Sequence, residues 1–309
     1  MFGSRSPSVA LISAAVCWGL GTVLSKYALG GFEATVLLPF QLTCSVLLLG
    51  LFLLVTGSSV RGIQHAVKIG ALGVLNPGIA YALGLTALAQ IDASVSVIIW
   101  ATEPVLIVLL AFVFLHERLP LWSVACLAAA MAGVALIIGA PSEAGSLVGV
   151  ALTFVSVLTC ALYSILLRRM NLTDGTLPVV FVQQASALVF AVVVLLVVQG
   201  TAWGAVDATG LQVISAVASG AFYYGVAFLL YVAGLRRTSA ARAGMFLTLI
   251  PVFGLFFSAI LLGETMDAGQ LAGSIVVIGS MLVLAVRGGG DSSPRSSPPP
   301  MSVRPSLDR

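Results

Sequence analysis

Charge is scarce in this sequence. Only 8% of its 309 residues are Asp, Glu, Lys or Arg, against roughly 25% in a soluble domain. So little charge cannot cover a water-facing surface, which excludes a soluble globular protein. A mean hydropathy of +1.14 agrees. The net charge of +3 is small and scattered, so no nucleic-acid partner is expected. Histidine and cysteine are scarce too. His65 and His116 stand alone, and Cys17, Cys44, Cys126 and Cys160 form no CxxC pair. No disulfide framework, zinc site or other cofactor is expected, and each cysteine reads as a small buried apolar side chain. There is no Gly-x-x-x-x-Gly-Lys phosphate loop, which argues against ATP-driven pumping by this chain. No nucleophile–base set is present either. Ser219-Gly220 hints at an intramembrane serine protease, but no histidine follows it. An enzyme is not expected.

What is abundant is uninterrupted apolar chain. A bilayer-spanning helix needs about 20 mostly apolar residues. Ten such runs occur, near 8–29, 35–56, 67–89, 93–115, 120–140, 147–168, 178–199, 210–234, 240–262 and 268–287. Barrel strands would alternate in polarity, and these runs do not. The first run is too long for the apolar core of a cleaved signal peptide. After Arg287 the chain turns to Gly, Ser, Pro and Arg, a composition expected to stay disordered. With both termini in the cytoplasm, 13 of the 14 basic residues fall on the inner side and only Lys26 lies toward the outside. That partition follows the positive-inside rule and supports an even number of spans.

The chain also repeats itself. Ala93, Pro104 and Glu117 recur 147 residues later as Ala240, Pro251 and Glu264, within similar apolar contexts. A weaker match pairs Trp18 and Lys26 with Cys160 and Arg168, 142 residues apart. Each repeat holds five helices, and an odd number makes the second copy enter the membrane from the opposite side. Inverted repeats are typical of secondary transporters, with a site near the midplane between the halves.

These features resemble the drug/metabolite transporter superfamily, specifically chains with two EamA-type repeats. The resemblance rests on Trp18-Gly19 in the first helix and Glu103-Pro104 and Ile250-Pro251 within helices four and nine. Glu117 and Glu264 at the ends of those two helices, and Tyr163-Ser164 with Arg168-Arg169 in the sixth, complete it. It spans about residues 8–287. It implies an all-α membrane protein of ten helices, two inverted five-helix repeats around a central cavity. The expected divisions are 1–140, 141–287 and a cytoplasmic tail of 288–309. It also implies a multi-pass protein of the inner membrane that exports amino acids or related metabolites. His116 departs from the pattern, which often has Gly before the Glu, and Ile250 replaces the acid found at Glu103.

Within the spans, Glu103 is the one deeply placed carboxylate. An acid there costs about 2.5–3.5 kcal/mol on insertion scales, so it reads as a substrate-ammonium or proton site, with a protonated structural glutamate as the alternative. Pro104 beside it, with Pro77 and Pro251, reads as a hinge. Lys26 has two readings, a partner for a substrate carboxylate or a side chain reaching the outer headgroups. Asn76-Pro77-Gly78 predicts a broken third helix, facing either a cavity or a packing partner. Trp18, Tyr81, Trp100, Tyr163, Tyr223 and Tyr224 are candidate cavity aromatics. Gln183, Gln184 and Thr248 are in-span polar groups for which interhelical hydrogen bonding is the competing role. Glu117 and Glu264 read as cap or gate residues, with Glu117-Arg118 a local charge pair. Gly133, Gly139, Gly273 and Gly279 read as points of close helix approach. The expected partners are the bilayer and a small-molecule substrate, with coupling to protons or exchange, and monomer or homodimer, left open. A secondary carrier is expected, with a passive facilitator as the alternative.

Overall fold

The computed structural model describes residues 6–59, 63–88, 90, 99–117, 119–138, 146–170, 174–200, 207–262 and 268–288. Among these residues the regular structure is entirely helical. The first two helices are α1 (Pro7–Ala28) and α2 (Ala34–Thr56). Helix α3 has three pieces, Ile63–Gly73, a π-helical stretch Val74–Ile79, and Ala80–Leu88. Then come α4 (Glu103–Leu115), α5 (Leu121–Ile138), α6 (Leu147–Arg169) and α7 (Thr176–Gln199). Helix α8 is again composite, with Gly210–Ser219, a π-helical stretch Gly220–Val226, and Ala227–Leu235. Helix α9 joins Ala240–Met245, a 3-10 turn Phe246–Leu249, and Ile250–Leu262, and α10 is Ala268–Gly288.

Seven of these segments are long and apolar enough to cross a membrane, and α4, α5 and α10 are apolar but shorter by that measure. The protein is an all-α, multi-pass membrane protein. Its surface is inside-out by soluble standards. Leu54, Val55, Phe112, Leu121, Val197 and Val286 are largely exposed, while Gln41, Ser45, Thr153, Gln183 and Gln184 are buried. Lipid is as apolar as leucine, so apolar burial does not drive these helices together, and close packing and hydrogen bonds must.

The packing is reciprocal between the halves. Helix α1 packs on α8 and α9, and α6 packs on α3 and α4. Helix α2 meets α7, α4 meets the start of α9, and α5 runs along α10. The contacts deepen this symmetry. A Cβ on Gly73 would strike the Gln183 backbone, and one on Gly220 would sit 2.6 Å from the Gln41 carbonyl oxygen. Gly73 and Gly220 are 147 residues apart, and Gln41 and Gln183 are 142 apart. Each glycine opens a π-turn and lets that turn lie against the second helix of the other half.

Several expectations change. Glu103 begins the regular part of α4 instead of lying inside a long helix, because residues 101–102 form a turn. Pro104 therefore sits in the first helical turn, where a missing N–H costs nothing. Pro251 follows the 3-10 turn in the same way. The third helix is broken as expected, at Asn76 (φ −146°, ψ 120°) before a cis Pro77. Gly133 does make a close approach, 2.8 Å from the Gly273 carbonyl oxygen to a built Cβ, but Gly279 has nothing within 4 Å. Cys160 is buried, whereas Cys17, Cys44 and Cys126 are only half-buried. Gly139, Arg118, Glu264 and the tail lie outside the described residues.

Candidate functional site

Aromatic rings from both halves converge at the two π-turns. Tyr81, just past the first turn, lies 6.0 Å from Trp100, 5.7 Å from Tyr223 and 5.6 Å from Tyr224 between ring centroids. Tyr223 and Tyr224 are 5.0 Å apart. All four contacts are tilted or edge-on, the arrangements that ring quadrupoles favour. Tyr224 is buried, while Tyr81, Trp100 and Tyr223 remain partly open.

Glu103 follows Trp100 by one turn. Its carboxyl lies within electrostatic reach of Cys160, Tyr223 and Tyr231. Among the described residues it has no hydrogen bond and no ion pair. It lies deep in the bundle, and the residue as a whole is partly accessible.

A second aromatic layer lies toward the start of α1. Trp18 packs 5.5 Å from Phe228 and 5.3 Å from Tyr231, and Tyr163 is 6.4 Å from Phe228. Polar ties run through and around both layers. The Tyr163 hydroxyl donates to Gln183 Oε1 at 3.0 Å, and the Ser164 and Tyr231 hydroxyls are 2.8 Å apart. Gln184 Nε2 donates to the Tyr224 carbonyl at 2.9 Å, and Gln41 Nε2 donates to the hydroxyls of Ser219 at 2.6 Å and Ser25 at 2.9 Å. Buried polar atoms on the enclosing helices, among them Trp18 Nε1, Asn76 Oδ1, Gln183 Nε2 and Gln184 Oε1, have no partner among the described residues. Each such atom costs about 1–3 kcal/mol.

Accessibility differs between the two ends of α1. Lys26 and Thr22 are exposed, and Thr22 adjoins the Tyr223 phenol. Toward the start of the helix, Trp18, Ala15, Ala14 and Leu11 are buried. Thr248 stands apart from this network. Its hydroxyl donates to the Met245 carbonyl at 2.8 Å, within its own helix and not between helices.

The opposite end is tied by Glu117. Helix α4 finishes at His116 in the left-handed conformation (φ 54°, ψ 27°), and the Glu117 N–H returns to the Ala111 carbonyl at 3.2 Å. This is the geometry for which glycine is preferred, and histidine is among the residues that tolerate it. The turn aims Glu117 at the start of α9. Its carboxylate accepts from the N–H of Ala240 at 3.1 Å and Ala241 at 3.0 Å, while Ser239 Oγ accepts from Arg242 N at 3.2 Å. The three leading N–H groups of α9 are thereby satisfied, two of them by a residue from the other half. Glu117 is a cap on α9 and not merely half of a local pair with Arg118. Arg236, in the turn before α9, donates to Thr176 Oγ1 at 3.4 Å. Partial burial lowers its pKa from the usual arginine value, and Asp174 opposes that shift. Removing a cap costs about 0.5–2 kcal/mol. Glu117→Ala should therefore speed amide exchange at Ala240 and Ala241 by roughly 2- to 30-fold. Unchanged protection would show that the carboxylate does not hold this end.

The sequence model of the EamA-like transporter family matches residues 6–139 and 147–286. The chain belongs to the EamA-like transporter family. An uncharacterized transporter of Archaeoglobus fulgidus is 24% identical to this EamA-like chain over 275 residues, covering 87% of it and 95% of the relative. A solved crystal structure shares the fold with a TM-score of 0.76 at 19% identity, covering 92% of this chain and 99% of the other. The protein is a membrane transporter.

The sequence reading had named most of the ring cluster singly, but it missed Phe228 and Tyr231, the ties of Gln41, and the second π-turn. A signal was present. At the 147-residue offset Gly73 and Gly78 pair with Gly220 and Gly225, and Tyr81 pairs with Phe228.

Proposed function

We propose that this EamA-like transporter is a secondary active carrier working by alternating access, exporting a small metabolite such as an amino acid or a related metabolite. Residues 1–140 and 141–287 form the two inverted repeats, in an inner membrane with both termini cytoplasmic. The observation that carries this reading is Glu103. A partly accessible glutamate without a described partner sits among rings from both halves, where rocking of one half against the other would change its exposure. Proton coupling runs through this residue, whose titratable neighbours are Cys160, Tyr223, Tyr231 and, through Tyr223, Tyr81. With the start of α1 on the cytoplasmic side, the Glu117 cap lies toward the inner side. Trp18, Asn76, Tyr163 and Gln183 supply the polar lining, Lys26 stands at the outer end of α1, and Thr248 with Pro77, Pro104 and Pro251 marks where helices can bend.

Purified protein in liposomes should show saturable counterflow with members of a metabolite panel and a rate that responds to a pH gradient. Flux that rises linearly with concentration, without counterflow, would favour a passive facilitator and overturn the carrier reading.

A further inference from the structure

We infer that the cluster of Tyr81, Trp100, Tyr223 and Tyr224 with Glu103 is a cation-recognition cage, and that the ligand it takes is an organic ammonium ion. The inference rests on the carrier reading and names its substrate class.

Four electron-rich rings lie within 5.0–6.0 Å of one another around Tyr81 and Tyr223. A cation over such faces is attracted by the ring quadrupoles, more strongly when dehydrated. Tyr81, Trp100 and Tyr223 are each partly open, so ring surface remains for a ligand. The Glu103 carboxyl lies within electrostatic reach of Tyr223 and has no ion pair among the described residues, so a bound cation is the partner that would hold it ionised. An anion there would meet the negative faces of the rings and oppose that ionisation. A neutral apolar solute would gain ring contact but leave the carboxylate unanswered. An ammonium group answers both at once, and a quaternary ammonium does so without needing hydrogen-bond acceptors.

The closing experiment measures binding by calorimetry on the detergent-purified full chain. It uses choline, tetraethylammonium and benzylamine, each beside a neutral isostere (3,3-dimethylbutanol for choline). At least one ammonium probe should bind 10-fold or more tightly than its isostere. Tyr223→Leu should weaken that binding about 10-fold, while Tyr223→Phe, which keeps the ring, should stay within 3-fold. Glu103→Gln should reduce the preference for the charged probe over the isostere. Size-exclusion profiles matching the wild type establish that each variant is folded. If no ammonium probe outbinds its isostere, or if Leu and Phe at position 223 bind alike, the cage is overturned. Counterflow with the metabolite panel separates the two proposals. Counterflow without ammonium preference sinks the cage and leaves the carrier standing, whereas absent counterflow for every solute sinks the carrier.

Discussion

Glu103→Gln is expected to lower pH-driven transport by at least about 30-fold while leaving the protein folded. Removing one partner of a desolvated charge interaction costs about 2–5 kcal/mol, and each 1.4 kcal/mol is a factor of ten. The substitution is nearly isosteric. It breaks no hydrogen bond or ion pair among the described residues, so the folded state has little to lose. The one structural loss is a negative charge at the first residue of α4. At a helix N-terminus that charge contributes about 0.3–1 kcal/mol. Thermal stability should therefore shift little. The measurement is solute uptake into liposomes across an imposed pH gradient, beside the thermal midpoint of the same preparation. Full pH-driven transport in the Gln variant would exclude Glu103 as the coupling group. A large fall in the thermal midpoint would make it a structural glutamate instead.

Gly73→Leu should prevent assembly of the bundle. A side chain at this position meets the Gln183 backbone, not the end of a flexible neighbour. Overpacking usually costs about 1–3 kcal/mol because side chains can shift. Here α3 and α7 would have to separate, so the loss should exceed about 3 kcal/mol. Separation would also part Gln183 from Tyr163 and disturb the π-turn that precedes Tyr81. Gly279→Ala is the matched control. That glycine is in α10 with nothing within 4 Å of a built Cβ, and replacing a mid-helix glycine by alanine gains about 0.5–1 kcal/mol. Monodisperse yield and thermal midpoint report both. A well-folded Gly73→Leu protein would show that this contact is not needed for packing.

The contrast between these glycines shows what the sequence could and could not reveal. Helix positions were readable because a bilayer demands long apolar runs, and most described helices agree with the expected spans to within a few residues, with α4 starting at Glu103 where a span from 93 was expected. The α3 break was readable because an amide, a proline and a glycine together cannot continue a regular helix. The α8 break was not, since Gly220-Ala-Phe-Tyr-Tyr-Gly225 contains no helix breaker stronger than glycine. Its π-turn follows from packing against α2, a tertiary cause. Glu117 shows the same limit. Its neighbour Arg118 suggested a local pair, but the exposed N–H groups of α9 are better acceptor-seeking partners. Only the fold reveals that they are within reach. Glu103 was visible as a lone intramembrane acid, while its position at the start of a helix depended on a turn that the apolar pattern hides.

The π-turn of α8 also fixes rotational phase. An α-helix advances about 100° per residue, and a π-turn amounts to one residue added without lengthening the regular spiral. Everything from Ala227 to Leu235 is therefore rotated by about 100° from where an unbroken helix would point it. That rotation lets the Tyr223–Tyr224 pair face Tyr81 while Phe228 and Tyr231, farther along the same helix, face Trp18. One helix thus presents two aromatic surfaces to two different neighbours, and the two layers of the site share a single strand of backbone.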